Sequence, residues 1–305
     1  MSHRVVEDNS SEASARQHAC SHASTGLAYS VTRSPSIREK PSSNARIVSA
    51  IVRLEKEYGY QGWWPVTCER KHFTLPRGEL QVDGYHPGQF DLPRTRRGRW
   101  EICCGAVLTQ NTAWTNVRRA LSSLAEARLT TPERLLRYPR PSLSSIIRPA
   151  GYFNQKAEYL RAVAQWFIEN DGRLCRSKHS RVLLEAARRT LLQVRGVGPE
   201  TADSILLYAY SLPTFVVDAY TRRVFARLGV IETTASYESV RALFEQALSQ
   251  TTVSTCVRVW QEAHALIVEH AKRHHGRGAD ASLDFLMSAA TTSTTPSRLR
   301  QISET

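Results

Sequence analysis

The stretch Leu191 to Arg223, LLQVRGVGPETADSILLYAYSLPTFVVDAYTRR, constrains this chain more than any other. Leu184, Ala187 and Leu191 recur at helical spacing on its upstream side. Ala202, Ile205, Leu206 and Ala209 do the same within it. Gly196 and Gly198 interrupt the pattern, where the chain must turn sharply and expose backbone N–H groups. Pro199 suits the first position of the second helix, where a missing N–H costs nothing. Free amides at a helix start favour an anion, and a phosphate fits there. The stretch therefore predicts two helices joined by a hairpin that can hold phosphate; plain helix packing gives the same pattern.

A polyanionic partner agrees with the charge. Among 305 residues, Lys+Arg number 41 against Asp+Glu 28, a formal net charge of +13, and most of the excess is arginine. A basic solvated surface accounts for the charge equally well. No apolar run approaches the roughly 18 residues of a membrane span. The six cysteines are scattered and include no Cys-x-x-Cys, which argues for reduced thiols in an intracellular protein rather than a disulfide framework.

Residues 1–44 are Ser-rich and aperiodic and read as a disordered tail; Glu7, Asp8 and Glu12 argue against a transit peptide. Residues 276–305 read as a flexible C-terminal tail. Between them the pattern is helical almost throughout, so the fold class is all-α. Helices are expected at Ile47–Tyr58 and Glu101–Gln110, around Val117–Leu124 and Leu160–Phe167, after Thr221, and over Val257–Ala271, where His264 occupies an apolar-face position. Residues Trp63 to Arg99 read as a Gly-, Pro- and Arg-rich loop, and Thr214 to Val217 is briefly strand-like.

Asp218 follows the apolar run Phe215–Val217, which puts its carboxylate at the edge of a core. It reads as an N-cap for the helix from Ala219, as a fixed functional carboxylate, or as both. Gln110 lies in WEICCGAVLTQNTAW, Trp100 to Trp114, at the polar end of an apolar helix. Trp63 and Trp64 are either core residues or an aromatic wall.

Together these residues resemble the HhH-GPD (helix-hairpin-helix) DNA glycosylase superfamily related to endonuclease III. Gly62-Trp-Trp-Pro65, Gly84-Tyr-His-Pro87, Leu-Thr-Gln-Asn-Thr and RPAGYFNQKAEY (Arg148 to Tyr159) resemble its endonuclease III-related subgroup, which includes the type III 3-methyladenine DNA glycosylases. The likeness spans about residues 45–275. It implies two helical lobes, one of residues 92–212 as a six-helix barrel with the hairpin, the other of residues 45–91 with 213–275. It implies a monomer that flips a damaged base from double-stranded DNA and hydrolyses its N-glycosidic bond, an alkylated purine first of all.

In that family Gly196, Val197, Gly198, Glu200 and Thr201 would contact the DNA backbone, with a monovalent cation at the hairpin, and Gln110 would fill the gap left by the flipped base; a polar helix end is its alternative. Asp218 would stabilise positive charge on the sugar and activate water. Trp63 and Trp64 would stack on the base. Bifunctional relatives carry a lysine where this chain has Glu200, and glutamate cannot form an imine, so the enzyme is expected to be monofunctional. Lys156 and Lys178 lie off the motif.

The family's four clustered cysteines are missing from Glu269–Phe285, EHAKRHHGRGADASLDF, so no iron–sulfur cluster is expected. His270, His274 and His275 read as a basic, solvated helix end rather than a metal site. The compartment implied is the cytoplasm or nucleoid of a bacterium, or a eukaryotic nucleus. A thymine or uracil mismatch glycosylase, an endonuclease III-like glycosylase/lyase and a non-catalytic DNA-binding module remain as alternatives.

Overall fold

The computed structural model describes residues 41–69, 84–176, 178–274 and 284–288. Among them there are helices and loops and no strand. The helices are α1 (Ser43–Tyr58), α2 (Arg96–Leu108), α3 (Trp114–Glu126), α4 (Pro132–Arg137), α5 (Arg140–Ile146) and α6 (Phe153–Leu174). They continue with α7 (Arg181–Leu191), α8 (Pro199–Ser204), α9 (Ala219–Arg227), α10 (Tyr237–Ala247), α11 (Val253–His274) and α12 (Phe285–Ser288). Short 3-10 turns lie at Thr67–Glu69 and Arg148–Ala150, and α8 runs into a wider π-helical stretch, Ile205–Ala209. None of these helices is long and apolar enough to cross a membrane.

Side-chain caps set many of the helix starts. Ser42, Thr95, Thr131, Ser180, Asp218 and Ser236 each accept a backbone N–H of the helix that follows. Ser42 starts α1 inside the stretch assigned to the N-terminal tail; residues 1–40 of that assignment lie outside the described residues. Thr95 starts α2 within the expected loop, because the polar first turn Arg96-Arg97-Gly98-Arg99 hides the helical period that Trp100 begins.

Helix α6 is a hub on which α2, α4, α5 and α7 pack, and α8 packs on α7 and α2. Helix α1 packs on α10 and α11, α11 packs on α9, and α2 meets the π-helical stretch. Phe215 stacks on Phe244 with ring centroids 4.6 Å apart, and Phe225 meets Phe244 edge-on at 4.8 Å.

The end of α11 corrects two expectations. His270 is fully buried rather than solvated: its Nε2 lies 3.1 Å from Asp284 Oδ1 and its Nδ1 3.0 Å from the Tyr58 hydroxyl. Asp284 and Leu286 are buried too, so part of the segment assigned to the C-terminal tail docks on α1 and α11. Arg53 donates to the Phe285 carbonyl, with its guanidinium 5.3 Å from the Phe285 ring centroid. A local hydrophobic period cannot announce a four-residue helix held by buried polar pairs.

Another buried pair joins α2 to α6. Arg99 donates Nε and Nη2 to the two Asp171 oxygens at 2.6 and 3.0 Å, and the Tyr210 hydroxyl donates to the same carboxylate at 3.2 Å. Removing one partner strands the other charge in the core. Asp171→Ala should therefore lower stability by about 3–5 kcal/mol in chemical denaturation, whereas an apolar replacement of both residues should recover much of that loss.

Candidate functional site

The site is built on a stretch of extended chain that has no strand beside it among the described residues. Pro213 and the helix-breaking turn before it end the π-helical stretch, and Thr214–Val217 runs extended and buried to Asp218. Its amides need partners, and α10 supplies them from side chains. Phe215 N–H donates to Glu245 Oε1 at 3.0 Å, and Val217 N–H donates to the Tyr237 hydroxyl at 3.3 Å. The strand-like periodicity thus reflects real extension, with a helix edge in place of a sheet.

The same side chains reach the hairpin. Arg188 on α7 donates to both Asp203 oxygens on α8 at 2.8 and 3.1 Å and to Glu238 on α10 at 2.6 Å. Tyr237 also bonds Asp203, and Arg241 joins Glu238 to Glu245 at 3.0 and 3.2 Å. One network therefore fixes the second hairpin helix and the approach to Asp218.

Asp218 caps α9, accepting Thr221 N–H at 2.7 Å. Its other oxygen lies 3.6 Å from His264 Nε2, an electrostatic contact longer than a hydrogen bond. Burial opposes ionisation here, but the facing imidazole and the Thr221 amide outweigh it and hold the carboxyl below its ordinary pKa. His264 is itself placed by the Tyr208 hydroxyl, 2.7 Å from Nδ1. Tyr208 lies in the π-helical stretch, where Gln261 Nε2 donates to the Leu207 carbonyl at 3.0 Å. Sequence reading took His264 for a packing residue; its imidazole against Asp218 is long-range geometry that a helical period cannot show.

Glu200 opens to solvent, but the protein around it partly desolvates it, and the nearby Asp218 charge adds to that. Its pKa rises to about 7, with His264 opposing the shift. This carboxylate at the start of α8 is thus coupled to the site. Lys272 joins the same field: burial lowers its pKa while Glu269 and Asp218 raise it, and its Nζ stands 5.0 Å from the Trp63 ring centroid.

The two tryptophans separate. Trp64 is buried against Trp114, Tyr208 and α2, where a Cβ on Gly105 would stand 2.8 Å from its Nε1, so it is a core residue. Trp63 is half-buried and carries Lys272 over its face, with Trp64, Trp114 and Tyr85 rings 5.4, 5.2 and 5.9 Å away. Trp114 was missed in the sequence; its place at the end of the Trp100–Trp114 stretch is the signal.

At the hairpin, Gly196 has φ +82°, and a Cβ there would lie 2.2 Å from the Tyr159 ring, so only glycine fits. Gly198 is extended at φ −95° and caps α8 with its Cα face open. Val197 is buried, and the Thr201 hydroxyl accepts Gln110 Nε2 at 3.0 Å. Gln110 also donates to the Gly196 carbonyl at 2.9 Å, so its side chain braces the hairpin. Tyr152 was not singled out in the sequence: it is 69% exposed in a left-handed backbone conformation at the start of α6.

The two lysines noted off the motif differ in burial. Lys156 Nζ is buried and gives its protons to three oxygens. Lys178 is exposed. Cys68, Cys103, Cys104, Cys175 and Cys256 are free thiols, and among the described residues no three His, Cys, Asp or Glu side chains converge as a metal site.

Residues 104–250 match the sequence profile described as HhH-GPD superfamily base excision DNA repair protein. A Methanocaldococcus jannaschii protein provisionally named a DNA repair glycosylase is 37% identical over 219 residues, covering 71% of this chain and 82% of its own. The chain belongs to the HhH-GPD superfamily. It is a base excision DNA repair protein, an enzyme that acts on DNA. The H. pylori 3-methyladenine DNA glycosylase MagIII, solved with 1,N6-ethenoadenine, is similar at 25% identity and a TM-score of 0.54 over 76% of this chain and 98% of that one. An endonuclease III trapped as a covalent DNA intermediate shares the fold, with a TM-score of 0.56 at 18% identity over 80% of this chain and 94% of that one.

The Glu200 shift has a measurable consequence. A carboxyl whose pKa is raised on folding binds its proton more tightly in the folded state, so stability falls as pH rises from the unfolded value to about 7. Glu200→Gln removes this effect. The variant should melt higher than wild type at pH 8 and lose that advantage at pH 5, as differential scanning fluorimetry at the two pH values would show.

Proposed function

We propose that this HhH-GPD protein is a monofunctional DNA glycosylase that flips a damaged base, preferentially an alkylated purine, from double-stranded DNA and releases it by hydrolysis. The observation that carries the reaction is Asp218: a buried carboxylate held ionised between Thr221 and His264 beside the hairpin. Breaking the N-glycosidic bond develops positive charge on the sugar, which a fixed anion stabilises without reorganising, and the same oxygen can take a proton from the attacking water. Asp218→Asn keeps the cap geometry. It should bind abasic-analogue duplex like wild type while base release in single turnover falls by at least about a hundredfold. Near wild-type excision would remove Asp218 from the mechanism.

Water is the proposed nucleophile because Glu200 occupies the position where bifunctional relatives carry an amine, and the Lys156 amine is fully engaged in the core. Borohydride should trap no protein–DNA adduct during excision. A strong trapped band would favour the lyase reading.

The substrate class rests on Trp63 and on the 25% identity to the 3-methyladenine glycosylase. In the resting protein its face already takes up a cation, the Lys272 ammonium. Methylation at purine N3 or N7 makes the base cationic and a good leaving group, and an electron-rich ring attracts it. Trp64 supports that ring from the core rather than forming a second wall.

A panel of methylated, oxidised, uracil-containing and T·G duplexes should show release from methylated purines first, and Trp63→Ala should weaken recognition by about 1–3 kcal/mol. Processing of T·G with methylated purines left intact would install the mismatch reading.

The DNA contacts proposed for Gly196–Thr201 place phosphate at the open Gly198 face. Gln110 fills the gap in the duplex only by releasing its two hairpin bonds, so we assign it first to bracing the hairpin. A monovalent cation at the hairpin is proposed to bind through backbone carbonyls. Those of Val194 and Gly196 each accept one hydrogen bond and keep a second lone pair. The protein is proposed to act as a monomer.

A further inference from the structure

We propose that Lys156 is a positioning residue whose ammonium ties the two loops beside the hairpin, Gln110–Thr112 and Ala150–Tyr152, into a single DNA-gripping face. The inference rests on the glycosylase reading above and adds a residue to it. Lys156 Nζ donates to the Leu108 carbonyl at 2.8 Å, to the Ala150 carbonyl at 2.8 Å and to Thr112 Oγ1 at 2.7 Å. Leu108 ends α2 and Ala150 ends the 3-10 turn, so the cation sits at the negative ends of two helical segments. The side chain is only 2% exposed, and none of its three acceptors is a carboxylate.

A buried cation without a counter-ion is an expensive way to fill space, since methionine has a similar reach and no charge to desolvate. What the ammonium adds is three donors pointing in three directions. Each acceptor is one or two residues from a group that faces outward or holds the hairpin. Gln110, two residues past Leu108, donates to Gly196. Asn111 precedes Thr112, is exposed and has φ +53°. Tyr152, two residues past Ala150, is exposed with φ +46°. Two non-glycine residues in left-handed conformations persist only where their surroundings over-determine them. Thr112 Oγ1 lies 2.5 Å from the Ala150 carbonyl, so the two loops also touch directly beneath the ammonium.

Titration offers a readout that a space-filling residue would not give. Burial lowers the Lys156 pKa to about 8. Neither Arg99 or Glu101 on α2, nor Arg118, Arg119 and Glu126 on α3, nor Arg148 of the 3-10 turn, nor Glu158 and Arg161 on α6 contributes to that shift. A proton lost above pH 8 therefore removes one of the three donors and loosens the clasp.

The test is fluorescence anisotropy of the full chain on an undamaged duplex from pH 6.5 to 9.5, with Lys156→Met and Lys156→Arg. Wild type should lose about tenfold in affinity between pH 7 and pH 9, the size of one charge-assisted hydrogen bond. Lys156→Met should bind about tenfold more weakly at pH 7 and lose less toward pH 9. Its affinity should fall by a larger factor than its single-turnover excision rate at saturating enzyme. Lys156→Arg, which keeps its charge throughout this range, should lose at least threefold less affinity than wild type between pH 7 and pH 9. Lys272, whose pKa is also lowered, is unchanged in every variant, so the difference in slope belongs to Lys156.

Folded Lys156→Met with wild-type affinity and slope would overturn the proposal. If that variant does not fold, a Lys156→Arg slope equal to wild type overturns it. A wild-type protein that binds no duplex at any pH overturns the glycosylase reading itself.

Discussion

Everything at the site depends on how a length of extended backbone is satisfied without a sheet. Thr214 to Asp218 is buried, and a buried amide left unbonded costs about 1–3 kcal/mol. Glu245 and Tyr237 answer the amides of Phe215 and Val217 from one face of α10. Because Tyr237 also bonds Asp203, and Arg188 holds Asp203 and Glu238 together, the side chains that pay this debt also orient the second hairpin helix. The hairpin and the carboxylate are therefore set by one polar network rather than by two independent loops.

Much of this was legible in the amino-acid order, for physical reasons that differ from residue to residue. The hairpin was readable because Gly196 needs both a positive φ and room for the Tyr159 ring, and no other residue meets both demands. Asp218 was readable because an apolar run followed by a capping residue marks a helix start at a core edge. His264 was not readable: on a helix it occupies one more apolar-face position, and only the fold carries it to within 3.6 Å of Asp218. The docking of Asp284 and Phe285 was hidden for a similar reason, since Tyr58 and Arg53 are far away in sequence and His270 reads as part of a basic helix end. The distinction between Trp63 and Trp64 was also out of reach, because neighbouring residues share composition and differ only in which one α2 covers.

The charges around Asp218 fit the proposed reaction as a set. Asp218 and Glu200 sense each other, and two anions in one site resist joint ionisation. The conflict falls on Glu200, which lacks the Thr221 amide and the cap geometry, so its carboxyl titrates near neutrality while Asp218 stays ionised. A hydrolytic site that meets a developing cation needs one anion that is permanently available, and the asymmetry supplies it. A lysine in place of Glu200 would instead gain from Asp218 and bring an amine to the sugar. On the proposed reading, the identity at position 200 shifts the chemistry from imine formation toward water, and Lys272 and Trp63 border the space proposed for the base. In that proposal the fold holds the DNA, and the residue that follows the hairpin proline sets which nucleophile the site presents.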